Sequence, residues 1–275
     1  MTAFISSQRN RMDFYHNIMV ETSNLIKSFL IETAETAKFA GRFFKEIFIP
    51  PYEFRETLRQ CYQVGYKSIP LVGTTSFIMG LVVTLQSRPT LVEFGAGSWL
   101  PAMAAAGIVR EIGPVVTALM CAGKVGSNIG AELGSMKVTE QIDAMEVSGT
   151  NPFKFVAATR IWATTLMIPM LVIYADAFGL LGSYLAANIK GAISFQLFFD
   201  QVFRKLVFLD VFPAIIKSFF FGFTIGVISC YQGYNSKKGT EGVGKSANAS
   251  VVISSFIIFV IDLLSVQLTN VFMKY

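Results

Sequence analysis

Long apolar runs alternate with shorter polar segments along most of the chain. The first run, Ile69–Gln86, carries no charged residue and approaches the ~20 residues that a helix needs to cross a bilayer. Four further apolar runs follow, each with few charges: 102–130, Ile161–Ile189, Leu206–Tyr231 and Val251–Phe272. This pattern predicts an all-α integral membrane protein with five transmembrane helices.

The start of the chain has a different pattern. Residues 20–48 and Glu53–Tyr66 place apolar side chains at helical spacing between charged ones, and Pro50-Pro51 separates the two stretches. Neither stretch is long and apolar enough to span a membrane, so both are predicted to lie at the membrane interface as amphipathic helices. We therefore predict an interfacial segment at 1–52 and a membrane domain at 53–275.

Polar segments connect the predicted spans, and one of them has helical character. Residues 87–101 are rich in turn formers, whereas the connector 131–154 contains a predicted short helix with Thr139 as its cap. Val138, Ile142 and Met145 would form the apolar face of this helix, after Gly130 and Gly134 let the chain turn out of the membrane. Periodicity alone leaves two roles open, docking on a partner's groove or lying on the membrane surface. A second amphipathic piece is predicted at Phe195–Lys205.

Composition supports a membrane protein and narrows the function. Hydrophobic residues make up 53% of the 275 positions and charged residues 15%, which is too apolar for a disordered chain and unusual for a soluble enzyme. The net charge is +5, and most of the lysines and arginines lie in segments predicted to face the cytoplasm, as is usual for a membrane protein, so nucleic-acid binding is not expected. The same bias places the N terminus, the 131–154 connector and the 232–249 loop in the cytoplasm, and the C terminus on the other side.

The sequence offers little material for metal or nucleotide chemistry. Three scattered cysteines and one histidine, His16, provide no zinc-ligand spacing, and no metal or cofactor is expected. Residues Gly239–Ser246 match the letters of a phosphate-binding loop, GxxxxGK[ST]. No buried strand is predicted before this segment, so a turn between two spans is favoured over a nucleotide site.

Charged residues inside the apolar runs are the candidate functional residues. Arg110 and Glu111 are adjacent in the second run, where ionisable side chains are costly unless they serve a function. They need not pair with each other, because neighbouring residues on a helix point about 100° apart. The alternative is that both lie near the membrane surface. Asp176 and Asp262 are single acids in later spans, suited to a hydrogen bond from a neighbouring helix or to proton transport.

Three segments together resemble the MlaE family of ABC-transporter permeases. They are Ile108–Val115 (IVREIGPV), Ala122–Ser127 (AGKVGS) and Ala131–Met145 (AELGSMKVTEQIDAM), with weaker matches near Leu58–Gly65 and Gly239–Gly244. The resemblance covers about residues 53–275.

The resemblance implies a transport assembly. Each permease would form a homodimer with five spans per subunit, a cytoplasmic ABC ATPase partner and a periplasmic MCE-domain hexamer. Phospholipid would occupy a cavity between the subunits, in the bacterial inner membrane. The lipid pocket would be bordered by Val83, Leu91, Phe94, Arg110 and Glu111. The residues implied in ATPase coupling, within or just before a cytoplasmic coupling helix, are Glu132, Met136, Lys137, Glu140, Ile142, Asp143 and Met145.

The sequence-based interpretation is a lipid-transport permease without enzymatic activity of its own. Two alternatives remain at this point. One is an ion-coupled carrier that uses Asp176 and Asp262, and the other is a membrane enzyme that modifies lipids. The enzyme would need converging histidine, acidic or cysteine side chains, for which the chain offers few residues.

Overall fold

A computed structural model of the protein describes residues 27, 31–47, 49–50, 52–189, 193–206 and 208–272. Within these residues the regular structure is helical, with no strand. The helices are, in chain order, α1 (31–47), α2 (Phe54–Val64), α3 (Ile69–Glu93), α4 (Leu100–Gly107), α5 (Gly113–Cys121), α6 (Ser127–Val138), α7 (Gln141–Val147), α8 (Thr159–Ile189), α9 (Phe195–Lys205), α10 (Phe208–Tyr234) and α11 (Thr240–Phe272).

Short helical turns join several of these helices end to end. A 3-10 turn links α2 to α3, and π-helical turns at Ile108–Ile112 and Ala122–Gly126 join α4, α5 and α6. Five stretches are long and apolar enough to cross a membrane; they are called spans 1 to 5 below and are Phe54–Glu93, Gly97–Val138, Phe153–Ile189, Asp210–Tyr234 and Thr240–Val271. The predicted all-α, five-span fold is therefore confirmed.

The N-terminal part contains one described helix, α1. It lies within the stretch predicted to be helical at 20–48, and Arg42 forms an ion pair with Glu46 at 3.8 Å. This helix belongs to a unit separate from residues 49–275. His16 and most of the predicted interfacial segment before α1 lie outside the described residues.

Small residues bring α3 and α8 into close contact. A β-carbon added at Gly80 would come within 1.9 Å of the Gly179 carbonyl oxygen, and one at Gly182 within 2.1 Å of the Phe77 carbonyl oxygen. The Thr84 hydroxyl donates a 2.7 Å hydrogen bond to Ser183 Oγ across the same contact. In lipid, close backbone approach and interhelical hydrogen bonds hold helices together, because the bilayer provides no hydrophobic drive between them.

We expect Gly80→Val to destabilise the bundle by about 2 kcal/mol, because its side chain would collide with the backbone of α8. The thermal unfolding midpoint of the detergent-solubilised protein measures this effect. Gly123→Val is the matched control, since a β-carbon there meets no atom within 4 Å. Equal midpoints for the two variants would contradict the packing described for α3 and α8.

Span 1 extends further than the sequence predicted. The segment 87–101 was expected to be a turn-rich loop, but α3 continues through Pro89 to Glu93. Arg88 supports this extension because its Nη1 donates a 3.0 Å hydrogen bond to the Ala187 carbonyl oxygen of α8. Pro89 lacks the N–H that would bond the Leu85 carbonyl oxygen, a loss that membrane helices tolerate because neighbouring groups satisfy the freed carbonyl.

The predicted turn at Gly130 and Gly134 was wrong. Both glycines lie inside α6, which runs unbroken to Val138. A β-carbon at Gly130 would approach Ser250 Oγ to 2.4 Å, and one at Gly134 would approach Ser246 Oγ to 2.9 Å. These glycines therefore allow α6 to pack closely on α11 rather than allowing the chain to turn.

The amphipathic helix predicted at Phe195–Lys205 is confirmed as α9. The Ser194 side chain caps it by accepting a hydrogen bond from the Leu197 amide at 3.3 Å. Phe198 and Val202 are fully buried in a cluster that includes Leu100 of α4.

Candidate functional site

A buried lysine joins three of the spans. Lys217 of α10 is only 4% exposed, and its ammonium group lies 2.7 Å from Glu111 Oε2 and 2.8 Å from Asp262 Oδ1. Glu111 belongs to span 2 and Asp262 to span 5. Removing charges from water is costly, so a buried lysine inside a membrane protein persists only when carboxylates compensate it. We call Glu111, Lys217 and Asp262 the charged triad.

The neighbouring residue, Arg110, pairs with α10 separately. Its Nη2 lies 2.7 Å from Oδ1 of Asp210, whose side chain is almost fully buried. Asp210 stands seven residues before Lys217, which is two helical turns and therefore the same face of α10. The adjacent residues Arg110 and Glu111 thus bind two successive charges on one helix, and do not pair with each other.

A π-helical turn carries both of these residues. Ile108–Ile112 is wound with wider turns than the α-helices on either side, and such insertions are frequent at functional sites. Ile108 and Val109 of the same turn are buried, whereas the Arg110 and Glu111 side chains are 48% and 45% exposed. The turn therefore presents one cation and one anion outside the apolar core.

A pocket of about 380 Å³ lies beside these charges. Its charged residues are Arg110, Glu111, Asp210 and Lys217. The remaining lining is apolar or uncharged and consists of Ala106, Gly107, Pro213, Ala214, Ser265, Val266, Thr269 and Asn270. We call this cavity the charged pocket, because four charged residues share it with small apolar side chains.

The structure places the other three predicted pocket residues elsewhere on this chain. Val83 is half-buried in α3, and Leu91 packs against the cluster that includes Leu100 and Phe198. Phe94, at the end of α3, is 80% exposed. Within a single chain, Val83, Leu91 and Phe94 are therefore not brought into the charged pocket with Arg110 and Glu111. Their assignment to a lipid cavity stays a prediction.

The predicted coupling segment is split between two helices. Glu132, Met136 and Lys137 belong to α6, whereas Ile142, Asp143 and Met145 belong to α7. Glu140 forms the junction with a left-handed backbone, φ 57°, which is uncommon for a residue other than glycine. The chain makes its sharp turn at this residue.

The predicted N-cap at Thr139 was wrong. Its hydroxyl donates a 2.8 Å hydrogen bond to the Ser135 carbonyl oxygen of the preceding helix, and Glu140 occupies the cap position. The predicted apolar face is divided as well, because Val138 ends α6 while Ile142 is buried and Met145 half-buried in α7.

Ion pairs fix both sides of this turn. Lys137 Nζ lies 2.8 Å from Asp143 Oδ1, which links the end of α6 to α7. Glu132 Oε1 lies 2.8 Å from Nη2 of the buried Arg160, which links α6 to α8. A second cavity of about 400 Å³ lies beside the Glu132–Arg160 pair and is bordered by Arg59, Met136 and Gln141. Movement of α7 would therefore reach spans 2 and 3 through charged contacts.

The charged pocket and α7 lie toward opposite ends of span 2. The helical path from Glu111 to Val138 is about 40 Å long at a rise of about 1.5 Å per residue. Alternating span direction brings the start of span 4, with Asp210 and Lys217, to the same end as Glu111. The end of span 5, with Asp262, also meets this end.

The two single acids of the sequence differ in their surroundings. Asp262 forms an ion pair with Lys217 of α10, which is the contact with a neighbouring helix that was expected from the sequence. Asp176 is buried against Gly113, and its Oδ1 accepts no hydrogen bond from the described residues. Asp176 and Asp262, the proton sites suggested for an ion-coupled carrier, are therefore not equivalent, because within the described part of the chain only Asp262 is paired with a cation.

Sequence reasoning missed three charged residues of these clusters: Asp210, Lys217 and Arg160. Asp210 and Lys217 were counted within the apolar run Leu206–Tyr231. Arg160 stands one residue before the apolar run Ile161–Ile189. The rule that identified Arg110 and Glu111, namely that charge inside a span needs a compensating partner, also applies to Lys217. Applied there, it would have marked Lys217 as a further candidate functional residue.

The segment with the letters of a phosphate-binding loop joins two helices. Helix α10 ends at Tyr234, Gly239 has a φ of 95°, and α11 begins at Thr240. Lys245 lies within α11 and forms an ion pair with Glu241 at 2.7 Å. The strand that should precede such a loop is replaced by a transmembrane helix.

Five spans, a charged pocket among them and a short helix at the far end of span 2 define a multi-pass membrane protein. Residues 57–268 match the family model described as Permease MlaE, and the chain belongs to this family. It is accordingly the permease of an ABC transporter, the description shared by most of its relatives.

Relatives occur in distant organisms. A probable ABC transporter permease of Rickettsia typhi is 34% identical over 91% of this chain and 98% of its own length. A probable ABC transporter permease of Synechocystis is 31% identical over 89% of this chain and 90% of its own. The chloroplastic protein Trigalactosyldiacylglycerol 1 of Arabidopsis thaliana is 34% identical over 81% of this chain and 64% of its own.

Proposed function

We propose that this permease transports lipid, in particular phospholipid, and that the charged pocket receives the lipid head group. The observation that carries the proposal is the composition of the pocket, which combines accessible charges with small apolar side chains. A phospholipid has the same combination of a charged group and apolar chains. The name of the Arabidopsis relative, which is that of a diacylglycerol lipid, is consistent with this substrate class.

The surface around the bundle supports a homodimer with a cavity between the subunits. Span 5 is the least buried of the five, and exposed large apolar residues recur along α11 at helical spacing, including Phe256, Leu263 and Val271. In the proposed dimer, one part of this apolar surface contacts the second copy and the rest contacts lipid. Val83, Leu91 and Phe94 would then complete the cavity from positions outside the single-chain pocket.

The coupling segment is proposed to bind a cytoplasmic ABC ATPase subunit. Helix α7 exposes Asp143 and neighbours the exposed Glu140, which gives a partner a charged surface to recognise. ATP-driven closure of the partner would move α7, and the Lys137–Asp143 and Glu132–Arg160 pairs would pass this movement to spans 2 and 3. The chain itself would hydrolyse no ATP.

The assembly is proposed to lie in the bacterial inner membrane, with the N terminus cytoplasmic and the C terminus periplasmic. This orientation follows from the distribution of lysine and arginine among the connecting segments. It places α7 on the cytoplasmic side and the charged pocket toward the periplasm. A periplasmic MCE-domain hexamer would exchange lipid with the cavity from that side.

We expect Glu111→Ala to reduce lipid transport by the reconstituted complex roughly tenfold, the effect of losing about 1.4 kcal/mol of interaction. Assembly should persist, because Asp262 continues to compensate Lys217. Transfer of fluorescent lipid between proteoliposomes and acceptor protein measures the rate. Glu241→Ala, which removes an exposed carboxylate at the start of α11, is the control. Wild-type transport by Glu111→Ala would contradict the role given to the pocket.

A further inference from the structure

We infer that the charged pocket selects lipids with a zwitterionic head group whose cation is a primary ammonium, such as phosphatidylethanolamine, over anionic lipids. This inference rests on the proposed lipid transport and names the head-group class that the pocket accepts. Two observations carry it: the charge balance of the cluster and the exposure of its individual members.

The charge balance is negative. The charged triad contains one cation, Lys217, between two carboxylates, Glu111 and Asp262. Arg110 and Asp210 neutralise each other. With these groups ionised, the five residues leave an excess of one negative charge. Asp176, buried behind Gly113, can only add to it. A ligand that brings a cationic group relieves the excess, whereas one that brings only an anion increases it.

The exposed fraction of each side chain shows which charged groups of the pocket a ligand can reach. Lys217 and Asp210 are almost fully buried, whereas Arg110 and Glu111 are about half-exposed. A lipid entering the pocket therefore meets one guanidinium and one carboxylate, carried by adjacent residues of the π-helical turn. A head group that carries both a phosphate and an ammonium offers a partner of opposite charge to each member of this pair.

Both accessible groups keep binding capacity. Among the described residues, Glu111 contacts Lys217 through Oε2, and its second oxygen is left for another donor. Arg110 contacts Asp210 through Nη2, and a guanidinium carries five N–H donors. Glu111 already binds the ammonium group of Lys217, so its carboxylate is suited to a second primary ammonium from a lipid. A phosphate is a suitable acceptor for the remaining Arg110 donors.

The test uses the purified complex equilibrated with equimolar phosphatidylethanolamine, phosphatidylcholine and phosphatidylglycerol of identical acyl chains. Bound lipid is extracted and quantified by mass spectrometry. We expect wild type to enrich phosphatidylethanolamine over phosphatidylglycerol roughly fivefold, near the upper end for a half-exposed ion pair. Phosphatidylcholine should bind between the two, because its quaternary ammonium keeps the charge but has no N–H donor.

Glu111→Gln is the decisive variant, since glutamine retains an acceptor for Lys217 while removing the charge. It should bring the phosphatidylethanolamine enrichment over phosphatidylglycerol close to one, because the charge that distinguishes the two head groups is removed. Glu241→Gln should retain the wild-type enrichment. The wild-type head-group comparison needs no variant, so a folding defect in Glu111→Gln would not leave the inference untested.

Failure of the inference can be distinguished from failure of the proposed function. Lipid bound without head-group preference in wild type, or a preference kept by Glu111→Gln, would overturn the inference and leave lipid transport standing. A wild-type complex that retains no lipid would overturn the proposed function as well.

Discussion

Lys217→Met is expected to destabilise the helical bundle by about 3–5 kcal/mol, the usual cost of removing one partner from a buried ion pair. The substitution preserves much of the side-chain volume but leaves Glu111 and Asp262 facing each other without the cation that now lies within 2.8 Å of both. Thermal or denaturant unfolding of the detergent-solubilised protein measures the loss. A reduced yield of assembled complex should accompany it.

Removing the two carboxylates should reverse most of this effect. We expect Lys217→Met combined with Glu111→Gln and Asp262→Asn to regain more than half of the lost stability, because no uncompensated charge remains. Lys245→Met, which removes an exposed cation on α11, should stay within about 0.5 kcal/mol of wild type. A Lys217→Met protein as stable as wild type would show that the triad is not the contact that holds spans 2, 4 and 5 together.

Glu140→Lys combined with Asp143→Lys is expected to release the ATPase partner. Both side chains are exposed at the turn between α6 and α7, and reversing their charge replaces attraction by repulsion across any surface that recognises them. Asp143→Lys also replaces the ion pair with Lys137 by a like-charge contact. Recovery of the ATPase in a pull-down with the tagged permease should fall at least about tenfold.

The permease itself should insert and dimerise in this double variant, because neither residue contributes to the buried core. Glu241→Lys, a charge reversal at the other connector predicted to be cytoplasmic, is the control and should recover the partner normally. Full recovery of the ATPase by the double variant would place α7 on the membrane surface, the role that periodicity left open.

The spans could be predicted from the sequence because their signal is local. A run of about 20 apolar residues has few structural alternatives, so the number of spans and their approximate centres follow from composition alone. The predicted ends of the spans were less accurate than their centres. Helix α3 continues past Gln86 because Arg88 finds a backbone acceptor on α8, a contact between residues 99 positions apart.

Glycines were the other source of error, because one residue type serves two purposes. Gly130 and Gly134 were read as places where the chain turns, yet they permit α6 to pack against α11. The turn occurs at Glu140 instead, in a backbone conformation that the residue type disfavours. Local propensity could not identify this position, since the turn is fixed by ion pairs and packing on either side of it.

Three of the five charged residues of the candidate site were singled out from the sequence. Arg110, Glu111 and Asp262 stood out as charges inside apolar runs, but no local pattern identifies the residues that pair with them. Lys217 lies 106 positions from Glu111 and 45 from Asp262, and only the order and direction of the spans bring the three together. The charge balance that underlies the head-group inference depends on those partners.

Photo-crosslinking from α11 tests the central claim, that lipid occupies the charged pocket, most directly. A photoreactive amino acid at Val266 would line the pocket, whereas one at Leu263, 62% exposed on the same helix, would face the surroundings of the bundle. The detergent-purified complex is irradiated, and the adducts are identified by mass spectrometry. We predict a phospholipid adduct at Val266 several times more abundant than at Leu263. Equal lipid labelling at both positions, or none at Val266, would contradict the assignment of the pocket.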